Sequence, residues 1–152
     1  LEALGREDPM LKLVALDEED LAVISAHVQD AVLKVRDMTY SPREKQFVLS
    51  MNRFAWENAR GGLFRRKYER RRSALHFDRV LGIRSGGFER DREEDVLELL
   101  AIRFAAAREP AGTIELVFAG GGAVRLEVEC IEAQLTDLGA AWETRARPVH
   151  LG

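Results

Sequence analysis

Apolar residues recur along this chain with two different spacings. A two-residue spacing predicts strands, and a spacing of three to four residues predicts helices. Residues 10–16 alternate between apolar and polar side chains, which predicts a short strand. Asp17 and the three acidic residues after it are typical of a helix N-terminus, because carboxylates satisfy free amides there. An apolar stripe with helical spacing follows, so a helix is expected from Glu18 to Gln29. Its buried positions are predicted to be Leu21, Ile24 and Val28.

A two-residue period predicts much of the remaining chain as antiparallel strands. Residues 32–38 and 47–52 are expected to pair as a hairpin around a turn at 40–44, where Pro42 suits the first central position. The next strand is expected over residues 73–84. One face of the first hairpin should carry Phe47, Leu49 and Met51. One face of the later strand should carry Leu75, Phe77, Leu81 and Ile83, with Arg79 among them.

The second half of the chain predicts three further strands and a helix. Residues 96–106 are expected to form a strand, and residues 113–119 and 123–129 a hairpin, because glycines 120–122 accept positive φ angles in a tight turn. Helical spacing from Ile131 predicts a C-terminal helix that ends at Gly139. Inward positions of the first strand are predicted to be Val96, Leu100, Ile102 and Phe104, and the helix should bury Ile131, Leu135 and Leu138.

These elements predict an α+β fold. Six or seven antiparallel strands with one apolar face each need a cover, which the two helices can supply. The expected architecture is an antiparallel meander curled into a pleckstrin-homology-like barrel, capped by the C-terminal helix, plus one N-terminal helix. A flatter sheet with helices on one face is the alternative. Residues 10–150 are predicted as a single domain, and residues 1–9 as an irregular N-terminal end.

Composition narrows the class of protein. The chain has 152 residues, 46% of them apolar, and a net charge of −3, which is typical of a globular protein rather than a disordered one. Its single cysteine, Cys130, excludes an internal disulfide and a multi-cysteine metal site. No run approaches the roughly 20 apolar residues of a membrane span, and the N-terminus lacks an export-signal pattern. A cytoplasmic protein is expected, with no cofactor, no metal and no membrane contact.

The strongest local charge lies in residues 58–72, called the basic stretch below. It holds seven basic residues and one acidic residue, and it is predicted as a surface loop that contacts a protein or an anionic ligand. The negative net charge favours two plainer interpretations instead. One is a solvated loop, and the other is pairing with the acidic segment 89–95 within the chain or across a dimer. The candidate contact residues are Arg60, Arg65, Arg66, Lys67, Tyr68, Arg70, Arg71 and Arg72.

Three other features suggest chemistry, each with a plainer structural interpretation. His76 and Asp78 share one strand face, which allows an acid–base pair or two metal ligands, although a weak surface pair is more common. Phe64 and Tyr68 lie among the arginines and indicate stacking on single-stranded RNA as an alternative. Cys130 at the start of the expected helix is a reactive thiol or a buried filler.

The preferred functional prediction is therefore a small non-enzymatic binding or adaptor module. A small enzyme with a polar cleft near His76 and Asp78 is one alternative, and a single-strand RNA binder is another. Nucleic acid is allowed but not favoured, because no nucleic-acid motif occurs. Exposed strand edges also allow a homodimer.

Four segments resemble an uncharacterised bacterial family known as domain of unknown function 2948. They are Leu16–Leu21, Ser25–Ala31, Asn52–Glu57 and Asp137–Trp142. The resemblance extends from about Met10 to His150. It implies a small cytoplasmic protein, and it brings no activity, cofactor or catalytic residue to these positions.

Overall fold

The N-terminal helix forms where its acidic start predicts it. The computed structural model describes residues 10–54 and 70–140, and α1 occupies Glu18–His27. The Asp17 carboxylate caps this helix by accepting a hydrogen bond of 2.8 Å from the backbone N–H of Asp20. The helix ends two residues earlier than predicted. The expected apolar stripe is confirmed as buried: Leu21, Ile24 and Val28.

Some predicted features lie outside the described residues. They are the irregular end 1–9, most of the basic stretch, and the aromatic and histidine side chains Trp56, Phe64, Tyr68, Trp142 and His150.

Ten strands make up the rest of the described chain. They are β1 (Lys12–Ala15), β2 (Val32–Lys34), β3 (Met38–Ser41), β4 (Gln46–Phe54), β5 (Arg70–Phe77), β6 (Val80–Gly86), β7 (Val96–Ala106), β8 (Gly112–Phe118), β9 (Ala123–Val128) and β10 (Ala133–Ala140).

The strands form one antiparallel sheet with two ends. Their order is β1-β10-β5-β4-β2-β7-β8-β9-β6, and β3 pairs with β4 beside this path. An antiparallel α+β fold is therefore confirmed. The closed pleckstrin-homology-like barrel is not formed by the described residues, because no ladder joins β6 to β3 or β1. The one described α-helix packs on β1 and β7.

The predicted C-terminal helix is wrong, because residues 133–140 form β10 between β1 and β5. Leu135 is fully buried, but Leu138 is 56% exposed, so the two leucines do not share a face. Residues 131, 135 and 138 have the apolar spacing of a helix, whereas residues 131, 133 and 135 have the spacing of a strand. The polar Asp137 at a buried position hid the two-residue alternation. Cys130 consequently lies in the connection between β9 and β10, not at a helix start.

A bulge shifts the inward-facing positions of β7. In β7 the register shifts between Leu99 and Ala101, so Leu97, Leu99 and Ile102 are buried. Val96 and Leu100, predicted inward, are 65% and 40% exposed.

The strand predicted over residues 73–84 divides into β5 and β6. Arg79, predicted on their shared apolar face, instead occupies the turn between them with a φ of 63°. Val80 and not Leu81 points into the core. The strand predicted over residues 32–38 is likewise divided, into β2, a 3-10 turn at Val35–Asp37 and the start of β3.

The β8–β9 hairpin is confirmed. Gly120 and Gly121 have φ angles of 86° and 97°, which glycine adopts without a steric cost. The inward residues of both strands are buried, as their alternation predicts: Ile114, Leu116, Phe118, Val124, Leu126 and Val128.

An ion pair lies inside the otherwise apolar core. Arg53 is fully buried on the face of β4 that also carries Phe47, Leu49 and Met51. Its Nε and Nη2 atoms donate to the two carboxylate oxygens of Asp137, each at 3.0 Å. The Ser73 hydroxyl donates to Asp137 Oδ1 at 2.6 Å.

The backbone N–H of Leu11, next to β1, donates to Asp137 Oδ2 at 3.1 Å. This Arg53 network therefore joins β4, β5 and β10 to the segment before β1. Every partner compensates part of the cost of burying charge.

The network also sets the ionisation of its carboxylate. Burial by itself would raise the pKa of Asp137. Hydrogen bonds from Arg53, Ser73 and the Leu11 amide, together with the Arg53 charge, nevertheless hold that pKa below its usual value. The ionised form is thus favoured in the folded chain.

We expect Asp137→Asn to lower the free energy of unfolding by about 3 kcal/mol, because it leaves the buried Arg53 charge without a counterion. Urea unfolding monitored by circular dichroism measures this. Replacing both partners, with Arg53→Met and Asp137→Leu, should cost less than Asp137→Asn alone. A loss below about 1 kcal/mol for Asp137→Asn would contradict a compensated buried pair.

The same pair predicts an acid dependence of stability. Asp137 has a lower pKa when folded than the roughly 3.9 of an exposed aspartate. Its contribution is therefore complete above the unfolded pKa, and it is lost as the pH falls through the folded pKa. Unfolding free energies of the original chain and of Asp137→Asn should converge toward low pH. A difference that stays constant from pH 7 to pH 2 would contradict this assignment.

Candidate functional site

The basic stretch is only partly described, and the described part is not a loop. Arg60, Arg65, Arg66, Lys67 and Tyr68 lie outside the described residues. The last three arginines, at positions 70–72, are the first residues of β5, which corrects the prediction of a surface loop for them. They pair with the end of β4, where Phe54 lies opposite Arg70 in the ladder.

Each of these three arginines contacts its own sheet. The Arg70 guanidinium lies 4.6 Å from the centre of the Phe54 ring, a cation–π contact. Arg71 is buried and reaches the Met10 sulfur at 3.8 Å. Arg72 donates to the Asn52 side chain at 3.4 Å and lies 3.7 Å from the Asp37 carboxylate. These contacts hold the end of the hairpin, and an anion-binding role for the three residues stays a prediction.

The acidic segment 89–95 finds local partners. Glu94 forms ion pairs with Lys34 at 2.8 Å and with Arg36 at 3.0 Å. The hydrogen bond from Lys34 lowers the pKa of Glu94 in spite of a small opposing effect of desolvation. Arg92 pairs with Asp95 within the segment at 2.9 Å. Pairing with the basic stretch is not seen for Arg72, which lies against Asp37 instead.

His76 and Asp78 do come together. The His76 Nδ1 atom lies 3.6 Å from Asp78 Oδ2, and Gln46 donates to Asp78 Oδ1 at 2.9 Å. His76 Nδ1 has no hydrogen-bond partner, and the His76 side chain is 29% exposed. His76 lies opposite Val48 on β4 and Gln134 on β10, and neither residue of the pair lines the pockets described below.

His27 does not join this group. Its Nδ1 lies 2.9 Å from the Val23 carbonyl within α1. Among residues 10–54 and 70–140, no three His, Cys, Asp or Glu side chains converge on a possible metal position. No helix in the same ranges is long and apolar enough to cross a membrane.

The turn between β5 and β6 carries an ion-pair cluster. Arg79 contacts Glu132 at 3.2 Å and Glu129 at 3.4 Å, and hydrogen bonds to these carboxylates raise its pKa. Lys45 pairs with Glu129 at 3.1 Å, and its hydrogen bond lowers the pKa of that carboxyl. These exposed pairs tie three connections together, so we assign them a structural role.

Cys130 borders a pocket of about 440 Å³ at the start of α1. Asp17 and Glu18 line it from the helix, Glu109 and Phe104 from the β7–β8 side. Asp17 already accepts a hydrogen bond as the helix cap. Three acidic residues therefore share the lining of this pocket with the thiol.

A second pocket, called the β3–β6 pocket, has about 420 Å³ and lies between the two strands that give it its name. Tyr40 and Ser85 add hydroxyl groups, and Arg90 and Asp91 are exposed charged residues in its lining. Most of the lining is apolar, supplied by Val35, Met38, Phe47, Ile83, Phe88 and Val124.

Both the size and the mostly apolar lining are typical of ligand pockets. One side-chain hydrogen bond joins β3, at a residue that lines the β3–β6 pocket, to the first residue of β6. The Tyr40 hydroxyl donates to the Val80 carbonyl at 3.0 Å. Phe88 supports the opposite side, since its ring packs edge-on against Phe118 with centroids 6.1 Å apart. Sequence reasoning missed this pocket, because its residues come from five segments that only the sheet order brings together.

We expect Tyr40→Phe to lower the free energy of unfolding by about 1 kcal/mol, because it removes a half-buried hydrogen bond and little volume. Thr39→Val, on the exposed side of the same strand, is the matched control and should change stability by less than about 0.5 kcal/mol. Urea unfolding measures both. Equal effects would show that the hydroxyl of Tyr40 does not bridge the two strands.

Comparison with known proteins gives one family. The family described as protein of unknown function, DUF2948, matches residues 11–150. No curated protein and no solved structure matches the chain. The family match covers more than nine tenths of the sequence and includes every described strand and α1. The chain therefore belongs to the DUF2948 family, as its four recognised segments predict.

Proposed function

We propose that this protein is a small non-enzymatic binding or adaptor module that contacts a protein or an anionic ligand through the basic stretch. The supporting observation is the connection between β4 and β5. The two strands stay paired up to Phe54 and Arg70, and fifteen residues join these neighbouring ends. Hairpin connections usually have two to five residues, and long ones commonly carry function.

The end of this hairpin is firmly held. Arg53 is fixed by Asp137, Arg70 by the Phe54 ring, and Arg72 by Asn52 and Asp37. A rigid base of this kind suits a binding segment, since loops carry function where a scaffold positions them. These contacts support a division of the basic stretch in which Arg70–Arg72 anchor it and residues 60–68 make the contact.

The charge of residues 60–68 defines the partner. Arg60, Arg65, Arg66 and Lys67 carry four positive charges without an acidic residue between them. Guanidinium groups bind phosphate or carboxylate in a bidentate manner, so an acidic partner fits. Single-strand RNA binding by Phe64 and Tyr68 is the second candidate, and it predicts a steep loss of affinity with added salt. A reducing cytoplasm is the proposed compartment, because a lone thiol persists there.

The enzyme alternative has one geometric observation in its favour. His76 and Asp78 lie within 3.6 Å of each other, and both keep part of their surface exposed. A catalytic site also needs a concave pocket with converging groups, and neither side chain lines the two pockets described. The binding module is therefore preferred.

The experiment changes Arg60, Arg65, Arg66 and Lys67 together to serine and leaves Arg70–Arg72 in place. The probes are inorganic phosphate and a peptide of six glutamates, titrated and followed by NMR. We expect at least a tenfold loss of affinity for both probes.

The matched control changes four exposed cations elsewhere, Lys12, Arg43, Arg103 and Arg108, to serine, so that both variants have the same net charge. Equal weakening in the two variants would point to the overall charge, and unchanged binding in the test variant would eliminate the segment as the site. An oligouridine probe separates the RNA candidate. A flat salt profile for that probe counts against RNA.

A further inference from the structure

Two strand edges face each other across the β3–β6 pocket without forming a ladder. Among the described residues, β3 pairs with β4 alone and β6 with β9 alone. Outside its ladder, the first residue of β6 donates a backbone hydrogen bond to the Lys45 carbonyl, and no other described backbone group bonds to the outer edge of β6. Most of this seven-residue edge keeps its outward N–H and C=O groups available.

The Tyr40 bridge shows which way this edge points. The Val80 carbonyl accepts from a side chain that comes from β3, so the outer edge of β6 faces β3 across the pocket. A side chain spans the gap there in place of backbone hydrogen bonds. The gap therefore has unpaired backbone on the β6 side and an apolar floor between the strands.

Natural edges are usually protected by lysine, proline or a bulge. The bulge of β6 lies at its beginning, between Val80 and Gly82, and the register from Ile83 to Gly86 is unbroken. Gly82 and Gly86 carry no side chain, and a Cβ placed on either one would meet no atom within 4 Å, so the sheet face beside this edge is uncrowded at both positions. The second half of β6 is thus an accessible edge.

Two charged residues at the β3–β6 pocket indicate which charges a partner should carry. Arg90 and Asp91 are exposed, and neither has an ion-pair or hydrogen-bond partner in the described part of the chain. Their neighbour Arg92 differs, because it pairs with Asp95. A partner with one acidic and one basic side chain complements the two unpaired charges.

We infer that the β3–β6 pocket binds an extended segment of a partner protein, which adds a strand to the edge of β6. The segment pairs through its backbone and places alternate apolar side chains against Ile83, Phe47 and Val124. Its acidic and basic side chains meet Arg90 and Asp91. A small ligand would satisfy few of the backbone groups along this edge, whereas an extended peptide satisfies them in a row. This site is separate from the basic stretch.

The test uses a blocked seven-residue peptide, Val-Thr-Val-Glu-Val-Lys-Val, titrated to millimolar concentration against the full chain. Amide NMR signals of residues 82–86 should shift with dose, and their hydrogen exchange should slow. Two control peptides carry N-methyl groups, one on the valines and the other on the residues between them. Strand addition predicts that at least one control loses affinity tenfold or more. Equal binding of all three peptides, or no shift at β6, would overturn the inference.

Two protein variants separate this site from other surfaces. Ser85→Phe fills the pocket and should reduce peptide affinity at least tenfold. Leu81→Phe, on the same strand but exposed to solvent, is its matched control and should bind as the original chain does. Both must retain the original amide spectrum elsewhere.

The serine variant of residues 60–67 distinguishes the two proposals. It should bind the peptide unchanged while losing phosphate. Loss of peptide binding in that variant, with retention in Ser85→Phe, would overturn the inference and leave the proposed role of the basic stretch standing.

Discussion

The buried ion pair between Arg53 and Asp137 is the constraint on which the packing of β4, β5, β10 and the segment before β1 depends. A charged guanidinium inside an apolar core is costly unless a carboxylate and further hydrogen bonds compensate it. Here the compensation comes from β5, β10 and the segment before β1, through Ser73, Asp137 and Leu11. Strands that are distant in the chain must therefore assemble together, because each one supplies a member of the same buried hydrogen-bond network.

The ion pair lies where the connection between β4 and β5 begins. Arg53 lies one residue before the end of β4, and β5 begins with Arg70 directly opposite Phe54. The fifteen-residue connection therefore starts and ends next to this buried pair. Arg70–Arg72, which composition groups with the other basic residues, serve the hairpin itself. The basic residues thus have two roles. Arg70–Arg72 hold the scaffold, and residues 60–68 are proposed to contact a partner.

The β3–β6 pocket, by contrast, lies at an unpaired edge of the sheet. The strand path ends at β6, and β3 lies beside the path, so the sheet leaves an opening between them. The floor of this opening belongs to the hydrophobic core, since Phe47 and Val124 are both buried. Closing the sheet into a barrel would have joined these edges, and the open path leaves unpaired backbone next to apolar surface. The pocket is a consequence of the topology and not of any single motif.

Local patterns determined α1 and the β8–β9 hairpin, because a capping carboxylate and glycines with positive φ act within a few residues. The resemblance of four segments was likewise enough to place the chain in its family. Tertiary structure decided the rest. Residues 131–138 contain a helical spacing of apolar residues and a strand spacing that overlaps it, and pairing with β1 and β5 selects the strand. The burial of Arg53 depends on Asp137 in β10, which is far away in sequence, so its energy appears only when the sheet is assembled.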